Sequence, residues 1–369
     1  VPIKDKVIKD DTRITLCLPF INRLIEKKAK IIIISHLGRP KGVEVPELSL
    51  MPIYKYLKNA LKTNVYFFKG AFDNETNKKF SHLKGGEVIL IENIRFFKEE
   101  TTDDEVFSEK IGKLGDIYIN DAFSCSHRKQ ASVHNISKFI KKRYAGPLLQ
   151  KEISAINLVI KNKKKPVTCI IGGSKISTKI NIIKNLIPKF ENIIIVGGMA
   201  NNLIKYKGFE IGKSKKEDNC NQIINKIFLL ADQNNCKIIF PSDVAVGKKM
   251  DDKAQIKDLS EIRNDDIILD IGPKTLNSIC KILDNSKTVL WNGPAGYFEN
   301  PNFAIGSEEI AKKIVDLKNK IYSVAGGGDT IAVINKINAF EKLNFISTAG
   351  GAFLEYLEGK EIPGIRALK

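Results

Sequence analysis

Short hydrophobic runs rich in Ile and Val alternate along the whole chain with longer stretches in which apolar residues recur at helical spacing. The short runs are typical of buried β-strands, and the longer stretches are typical of amphipathic helices. This alternation predicts βαβ units and an α/β fold, in which helices cover both faces of parallel sheets. The chain has 369 residues, which is enough for about two such domains.

The residues that follow each predicted strand divide the chain into two parts. In the first part, the strands KIIIIS, EVILIEN and DIYIND run into the polar or basic segments HLGRP, IRFFKEE and AFSCSHR. In the second part, six strands lead into glycine, and we expect them to lie in register in one sheet: VTCII, NIIIV, IILDI, TVLW, IYSVA and FISTA. Ligands of open α/β sheets bind at the carboxyl ends of the strands. The first part therefore offers basic side chains to its ligand, and the second part offers backbone.

A single amphipathic helix is predicted between the two parts from the apolar residues Leu148, Leu149, Ile153, Ile156 and Ile160. The polar segment KNKKKP ends it. We interpret residues 146–165 as the connector between two domains.

The composition narrows the possible functions. The formal net charge of +18 indicates either a polyanionic partner or a lysine-rich solvated surface, and the dispersal of the lysines along helical segments favours the surface. The cysteines form no C-x-x-C pair, so reduced thiols in a cytoplasmic protein are expected. The histidines lack metal-ligand spacing. No apolar run approaches the ~20 residues that a membrane helix needs.

The basic residues of the first part form one candidate site. Arginine offers a forked and permanently charged donor that matches phosphate and carboxylate groups. Each residue alone is also explained by a surface ion pair or a satisfied loop histidine. Three successive strand ends that each yield a basic residue favour a binding site. The candidates are Arg13, His36, Arg39, Arg95 and Arg128.

The glycine-rich loops of the second part form another candidate site. Their N–H groups can cradle phosphate oxygens, and a helix that follows adds partial positive charge. A glycine pair after one strand is often only a turn, whereas six in one sheet favour a nucleotide. Neither a G-x-x-x-x-G-K-[ST] loop nor a strand-linked G-x-G-x-x-G is present. The candidates are Lys175, Lys179, Glu299, Gly326, Gly327, Gly328, Asp329 and Thr330, with Asp329 suited to Mg²⁺.

A series of ordered segments carries a family resemblance: SHLGRP, IENIRF, NDAF with the later HR, AGPLLQKE, GGSKISTK, VGGMANN, EIGKS, PSDVAV, LDIGP, WNGPAGYFE, AGGGDT and STAGGAFLEYLEGKEIPGI. Together they resemble phosphoglycerate kinases of the bacterial type over essentially the whole chain. The resemblance implies two Rossmann-like domains with parallel sheets, joined by an interdomain helix and hinge. It implies that residues 1–145 bind 3-phosphoglycerate, that residues 166–346 bind the nucleotide, and that residues 347–369 pack back on the first domain.

The resemblance also implies roles for particular residues. The triose site would contain Arg13, His36, Leu37, Gly38, Arg39, Arg95 and Arg128. The nucleotide site would contain Lys179, Glu299 and the loop from Gly326 to Thr330, with Asp329 on the metal. Arg13 and Lys175 would be catalytic, because they would bracket the phosphoryl group in transfer.

The implied reaction transfers a phosphoryl group reversibly between 1,3-bisphosphoglycerate and ADP, giving 3-phosphoglycerate and ATP, with Mg²⁺. A carboxylate acceptor is ionised at pH 7 and needs no general base. The remaining task is positioning and charge stabilisation, helped by a hinge closure that excludes water. We expect a cytoplasmic monomer that binds these metabolites and neither nucleic acid nor membrane.

Two alternatives stay open at this point. One is another α/β enzyme that acts on phosphorylated metabolites, such as a dehydrogenase. The other is a nucleic-acid-binding protein driven by its positive charge, which would cluster basic residues with exposed aromatic ones. The start of the chain departs from the family pattern Arg-x-Asp-x-Asn-Val-Pro, because only Val1-Pro2 is present. We therefore expect the family's first strand, with its Asp and Asn ligands, to be absent from these residues.

Overall fold

The computed structural model describes residues 1–161 and 163–369, leaving aside the side chains at positions 74 and 77. The expected connector over 146–165 includes position 162, which lies outside the described residues. The chain divides into two compact units. Unit 1 comprises Val1–Lys151 and Glu361–Lys369, and unit 2 comprises Glu152–Lys360. The domain boundaries expected from the sequence stay a prediction.

The strands of unit 1 are β1 (Ile3–Lys4), β2 (Val7–Ile8), β3 (Ile31–Ile33), β4 (Val65–Phe68), β5 (Val88–Ile91), β6 (Ile117–Asn120) and β7 (Lys142–Ala145). The parallel sheet β3–β5–β4 has β5 at its centre, and β6 pairs with β7 in a second parallel sheet. Every residue of β5 is buried, because its apolar side chains enter hydrophobic clusters on both faces. Strands β1 and β2 form an antiparallel pair.

The helices that begin in unit 1 are α1 (Thr12–Glu26), α2 (Met51–Ala60), α3 (Asn74–Ser81), α4 (Lys98–Thr101), α5 (Glu105–Gly112) and α6 (Pro147–Ile160). Helix α6 occupies the segment in which apolar periodicity predicts a helix. Aspartates cap two of these helices, since Asp73 accepts a hydrogen bond from the N–H of Thr76 and Asp104 accepts one from Phe107.

The strands of unit 2 are β8 (Val167–Ile171), β9 (Asn192–Ile195), β10 (Lys237–Ile239), β11 (Asp243–Gly247), β12 (Gln255–Asp258), β13 (Ile267–Ile271), β14 (Thr288–Asn292), β15 (Tyr322–Gly326) and β16 (Phe345–Ser347). Six of them form one parallel sheet in the order β10–β9–β8–β14–β15–β16. Strands β8 and β14 lie at its centre and are buried throughout.

One strand lies outside the sheet that the sequence predicts for it. The run IILDI forms β13, which pairs with β11 in the antiparallel sheet β12–β11–β13. The expectation of six glycine-ended strands in one sheet is therefore wrong for this strand. A parallel neighbour needs a long crossover, usually a helix. The chain between β11 and β13 holds β12 and no α-helix, so it returns as antiparallel strands.

The helices of unit 2 are α7 (Ile180–Leu186), α8 (Ala200–Tyr206), α9 (Asn221–Gln233), α10 (Pro273–Asn285), α11 (Ile305–Asp316), α12 (Gly328–Lys336) and α13 (Gly351–Leu357). They surround a core that contains the fully buried Trp291. The final helix, α14 (Pro363–Arg366), belongs to unit 1. The predicted α/β class with parallel sheets is confirmed.

Two further observations bear on the composition. All cysteines are free thiols. Within the ranges that the structure describes, no helix combines the length and apolar character that a membrane span requires.

A buried carboxyl group lies at the end of α4. The side chain of Glu100 is almost fully buried, and its two oxygens accept hydrogen bonds from the hydroxyl and the backbone N–H of Ser132, at 2.8 and 2.9 Å. Burial raises the pKa of Glu100 from 4.5 to about 7, although the bonds from Ser132 and the charge of Arg95 oppose the shift. The folded protein therefore keeps this group protonated at mildly acidic pH and about half ionised at pH 7.

We predict that Glu100→Gln changes how stability depends on pH. Between pH 4.5 and 7 the folded protein holds the Glu100 proton more tightly than the unfolded chain, so the free energy of unfolding falls as pH rises through this window. Glutamine does not titrate. From pH 5 to pH 8 the variant should gain about 2–3 kcal/mol relative to the wild type in urea unfolding. The exposed neighbour Glu99, changed to Gln, is the control. If the free energies of unfolding of the wild type and Glu100→Gln change in parallel with pH, the raised pKa of Glu100 is contradicted.

Candidate functional site

A tight turn after β3 begins the first candidate site. Gly38 has a φ of +64°, and a Cβ there would lie 2.7 Å from Leu48 Cδ2, so the turn requires glycine. Asn93, which follows β5, stabilises this turn through two hydrogen bonds. Its Nδ2 donates to the carbonyl oxygens of Leu37 and Leu48 at 2.7 and 2.9 Å. The end of one strand thus fixes the backbone that follows its neighbour.

Arg95 joins this turn to the segment that follows β6. Its side chain is buried, its Nη1 donates to the carbonyl of Gly38 at 2.9 Å, and its Nη2 donates to Oε1 of Gln130 at 3.2 Å. Both acceptors are neutral, so the charge of the guanidinium is solvated by dipoles rather than cancelled by a carboxylate at these two contacts. Burial, followed by the charge of Arg128, lowers the pKa of Arg95.

The predicted basic residues act on one another electrostatically. Burial lowers the pKa of His36 from 6.5 to about 3, so its imidazole is neutral at physiological pH. The positive charges that add to this shift are those of Arg95, Arg128, the N-terminus and Arg13. Arg39 in turn acts on Arg95. The structure therefore brings all five predicted basic residues into one cluster, which we call the arginine cluster: Arg13, His36, Arg39, Arg95 and Arg128.

The second candidate site is built at the carboxyl ends of β14 and β15 in unit 2. Asn292, the last residue of β14, accepts a hydrogen bond from Nζ of Lys179 and donates through Nδ2 to the carbonyl of Gly326 at 2.6 Å. The hydroxyl of Thr330 accepts from the backbone N–H of Gly293 at 2.7 Å. These bonds hold the lysine, the end of β14 and the loop after β15 together.

The loop between β15 and α12 presents backbone to its surroundings. Gly327 has a φ of +102°, and a Cβ there would lie 2.8 Å from Nδ2 of Asn292, so glycine is required. A Cβ on Gly328 would meet nothing within 4 Å, which shows open space in front of the start of α12. Asp329 lies exposed in the first turn of that helix. This arrangement suits phosphate groups, because free N–H groups at a helix start attract anions.

Lys179 is the cation of this second set. Burial lowers its pKa, while the negative charges of nearby groups, Asp329 among them, act in the opposite direction. Lys179 and Asp329 are therefore close enough for their charges to interact.

Two predicted residues lie apart from these contacts. Lys175 is exposed before α7, where its carbonyl accepts from the hydroxyl of Thr178 at 2.8 Å. Glu299 is exposed beside Phe298, whose carbonyl accepts from Nζ of Lys336 at 3.3 Å. Lys336 ends α12, about 12 Å along the helix from the glycine loop. In the described part of the chain, no hydrogen bond joins either residue to Lys179 or Asn292.

The donor set limits how a metal ion is held. Across residues 1–161 and 163–369, no group of three or more His, Cys, Asp or Glu side chains could hold an ion. A metal at the second site would therefore rest on Asp329 and on oxygens that a ligand supplies. Mg²⁺ is commonly bound in this way, through one or two carboxylates and the phosphates of a substrate.

Three residues with positioning contacts are missing from the sequence prediction. Asn93, Gln130 and Asn292 support the residues that the sequence does predict. For Asn93 and Asn292 a signal exists, because each is a polar residue at the end of a buried strand in an α/β sheet. Gln130 gives no such signal, since its role depends on a contact across 35 residues.

The chain is similar to known proteins over its whole length. The family model described as "Phosphoglycerate kinase" matches residues 1–360. The phosphoglycerate kinase of Buchnera aphidicola subsp. Schizaphis graminum is 45% identical over 373 residues, covering 100% of this chain and 93% of the relative. That of Wolbachia pipientis wMel is 43% identical with the same coverage. The structure of phosphoglycerate kinase from Coxiella burnetii superposes with a TM-score of 0.92 at 36% identity, covering 100% of this chain and 93% of that one.

We predict that Asn292→Ala and Asn292→Asp both destabilise the protein by about 1–3 kcal/mol. Both lose the N–H that satisfies the buried carbonyl of Gly326, although the aspartate keeps an acceptor for Lys179. Asn285→Ala is the matched control, since it removes an exposed bond of the same kind to the carbonyl of Lys281. Urea unfolding measures the three variants. Equal free energies of unfolding for the Asn292 and Asn285 variants would show that the buried bond to Gly326 contributes no more to stability than the exposed bond to Lys281.

Proposed function

Because the chain belongs to the phosphoglycerate kinase family, we propose that unit 1 binds 3-phosphoglycerate and 1,3-bisphosphoglycerate and that unit 2 binds ADP and ATP. The protein is a glycolytic kinase that transfers a phosphoryl group reversibly between 1,3-bisphosphoglycerate and ADP. Neither a dehydrogenase nor a nucleic-acid-binding protein receives support from the similarities.

The charge state of the arginine cluster carries this assignment. His36 has a pKa near 3 because burial and several cations disfavour a further positive charge at this position. A ligand with a phosphate and a carboxylate would relieve that repulsion and give the guanidinium groups ionic acceptors. Leu37 and Gly38 would form the backbone wall of the triose site, since Arg95 and Asn93 fix their carbonyls.

The nucleotide would lie along the first turn of α12. The N–H groups of Gly326 to Thr330 and the ammonium of Lys179 would bind its phosphates, and Glu299 would accept from the ribose hydroxyls. Glu299 lies apart from the glycine loop, as a ribose contact should, because the ribose of a nucleoside diphosphate lies between the base and the phosphates. Lys175, on the exposed segment before α7, would meet the phosphoryl group in transfer.

A magnesium ion fits the donor set at Asp329. One exposed carboxylate in front of open space leaves most positions of an octahedral ion to phosphate oxygens and water. When bound, the ion supplies positive charge to the phosphate oxygens. The chain's own part is to hold the carboxylate and the loop in place, which the bonds of Asn292 and Thr330 do.

The chemistry would need no protein base. The carboxylate of 3-phosphoglycerate is ionised at pH 7 and attacks the terminal phosphorus of ATP directly, and the bond from that phosphorus to the bridging oxygen of ADP breaks. Arg13 and Lys175 would stabilise the charge on the transferring group. Because the two ligand sets belong to different units, transfer would need the units to close on each other, which also excludes water.

We propose that the protein works in the cytoplasm. Free thiols throughout the chain support a reducing compartment such as the cytoplasm. Each of the two ligand sets is assembled from residues of one chain, so we propose that the monomer is the working form.

A coupled assay tests the function directly. With 1,3-bisphosphoglycerate, ADP and Mg²⁺, the protein should form ATP and 3-phosphoglycerate, and excess EDTA should abolish the reaction. NADH with a 2-oxo acid is the control for the dehydrogenase alternative. Absence of ATP formation by a folded preparation would refute the proposed function of these residues.

We predict that Arg13→Ala and Lys175→Ala each lower turnover by at least about 10²-fold. Each removes a positive charge that acts on the transferring phosphoryl group. Mg-ADP affinity should change little in Arg13→Ala, because Arg13 belongs to unit 1. Steady-state kinetics and nucleotide titration measure both effects. Lys9→Ala and Lys215→Ala are exposed controls with the same loss of charge. Turnover near that of the wild type in either test variant would remove that residue from the mechanism.

A further inference from the structure

A second basic depression lies in unit 1, separate from the residues assigned to the triose site. It has a volume of about 580 Å³ and lies between the segment that follows Arg128, strand β7 and the last residues of the chain. We call it the C-terminal basic pocket. Its ionisable lining residues are Lys129, His134, Lys138, Arg143, Glu361 and Arg366.

The walls of this pocket are fixed by specific contacts. The N–H of Gly364 donates to the carbonyl of Ser126 at 2.8 Å, and Nδ2 of Asn120 donates to the carbonyl of Gly364 at 3.3 Å. A Cβ on Gly364 would lie 2.8 Å from Val133 Cγ1, so the terminal segment approaches the rest of unit 1 closely. The Nη1 of Arg143 donates to the carbonyl of Ser137 at 2.7 Å, which aims that side chain into the same space.

The positive charges of the pocket are poorly compensated. Lys138 lies 3.5 Å from Glu105 and Arg366 lies 3.0 Å from Glu361, and both pairs are exposed. The imidazole of His134 lies 2.7 Å from Asp103 in a third, less exposed pair. Exposed ion pairs of this kind contribute little to stability, so their cations remain available to a ligand that binds them better. Arg143 has the neutral carbonyl of Ser137 as its acceptor. The lining thus holds four cations and the one carboxylate of Glu361, while Asp103 and Glu105 pair with lining residues from outside it.

We propose that the C-terminal basic pocket binds a diphosphate group, as inorganic pyrophosphate or as part of a nucleotide. Several cations spread around a space of this volume match an extended anion with two phosphates better than a single phosphate. The forked guanidinium groups offer paired donors, and the lysines offer mobile charges. A bound diphosphate would connect the terminal segment to the residues directly after Arg128.

Titration calorimetry at low ionic strength tests the pocket in the full chain. Pyrophosphate and Mg-free ADP are titrated separately into protein saturated with 3-phosphoglycerate, so that the arginine cluster is filled. The test variant is Lys129→Gln with Lys138→Gln. The control is Lys55→Gln with Lys58→Gln, which removes the same charge from the exposed face of α2. Circular dichroism confirms that both variants fold, and Arg143→Gln is a second test variant with a different side chain.

The wild type and the control should bind pyrophosphate, and both test variants should bind it at least tenfold more weakly. Inorganic phosphate should bind the wild type more weakly than pyrophosphate does. If the test variants lose a binding site for ADP but keep their affinity for pyrophosphate, the diphosphate that the pocket binds is part of a nucleotide. Equal affinities in the control and test variants, or no pyrophosphate or ADP site that depends on these residues, would overturn the proposal. If 3-phosphoglycerate does not bind, only the assignment of the triose site is contradicted. The difference in pyrophosphate affinity between the control and the test variants still tests the pocket.

Discussion

The buried guanidinium of Arg95 is the interaction on which the first site depends. It binds a backbone carbonyl after β3 and a side-chain amide after β6, and so ties two strand ends that are far apart in the sequence. Two neutral acceptors solvate the charge without cancelling it. The positive potential is therefore available to a ligand and to the neighbouring His36, which it helps to keep neutral. A salt bridge at the same place would have fixed the geometry and removed the potential.

Unit 2 solves the same positioning problem with an uncharged side chain. Asn292 both accepts from Lys179 and donates to the loop that binds phosphate in our proposal. The amide provides both bonds in one orientation, whereas a carboxylate or an ammonium group would provide only one of them. The loop itself contributes peptide dipoles rather than charges. In our proposal the small triose, with one phosphate and one carboxylate, is thus matched by arginines, and the longer nucleotide is matched by backbone.

Much of this arrangement follows from sequence because strand ends are easy to find and parallel strands place them at one edge. The basic residues after β3, β5 and β6 converge for that reason, and so do the glycines after β14 and β15. The sequence fails where a contact joins distant segments without a periodic signal. Gln130 supports Arg95 across 35 residues, and β13 pairs in an antiparallel sheet because its connection holds β12 and no α-helix. The C-terminal basic pocket likewise needs Lys129 and Arg366 to meet in space.

The cations of the chain fall into two groups, according to whether burial or a fixed acceptor limits their geometry. Most lysines among the described residues form exposed salt bridges or none that the structure shows, and their charges are screened within about 8–10 Å at physiological ionic strength. Such residues contribute solubility rather than recognition. A cation becomes specific where burial or a fixed acceptor limits its geometry. Arg95, Lys179 and Arg143 each have a fixed neutral acceptor. In our proposals each of them also lines a site for an anion, which distinguishes them from lysines such as Lys30 and Lys189 that donate to neutral acceptors elsewhere.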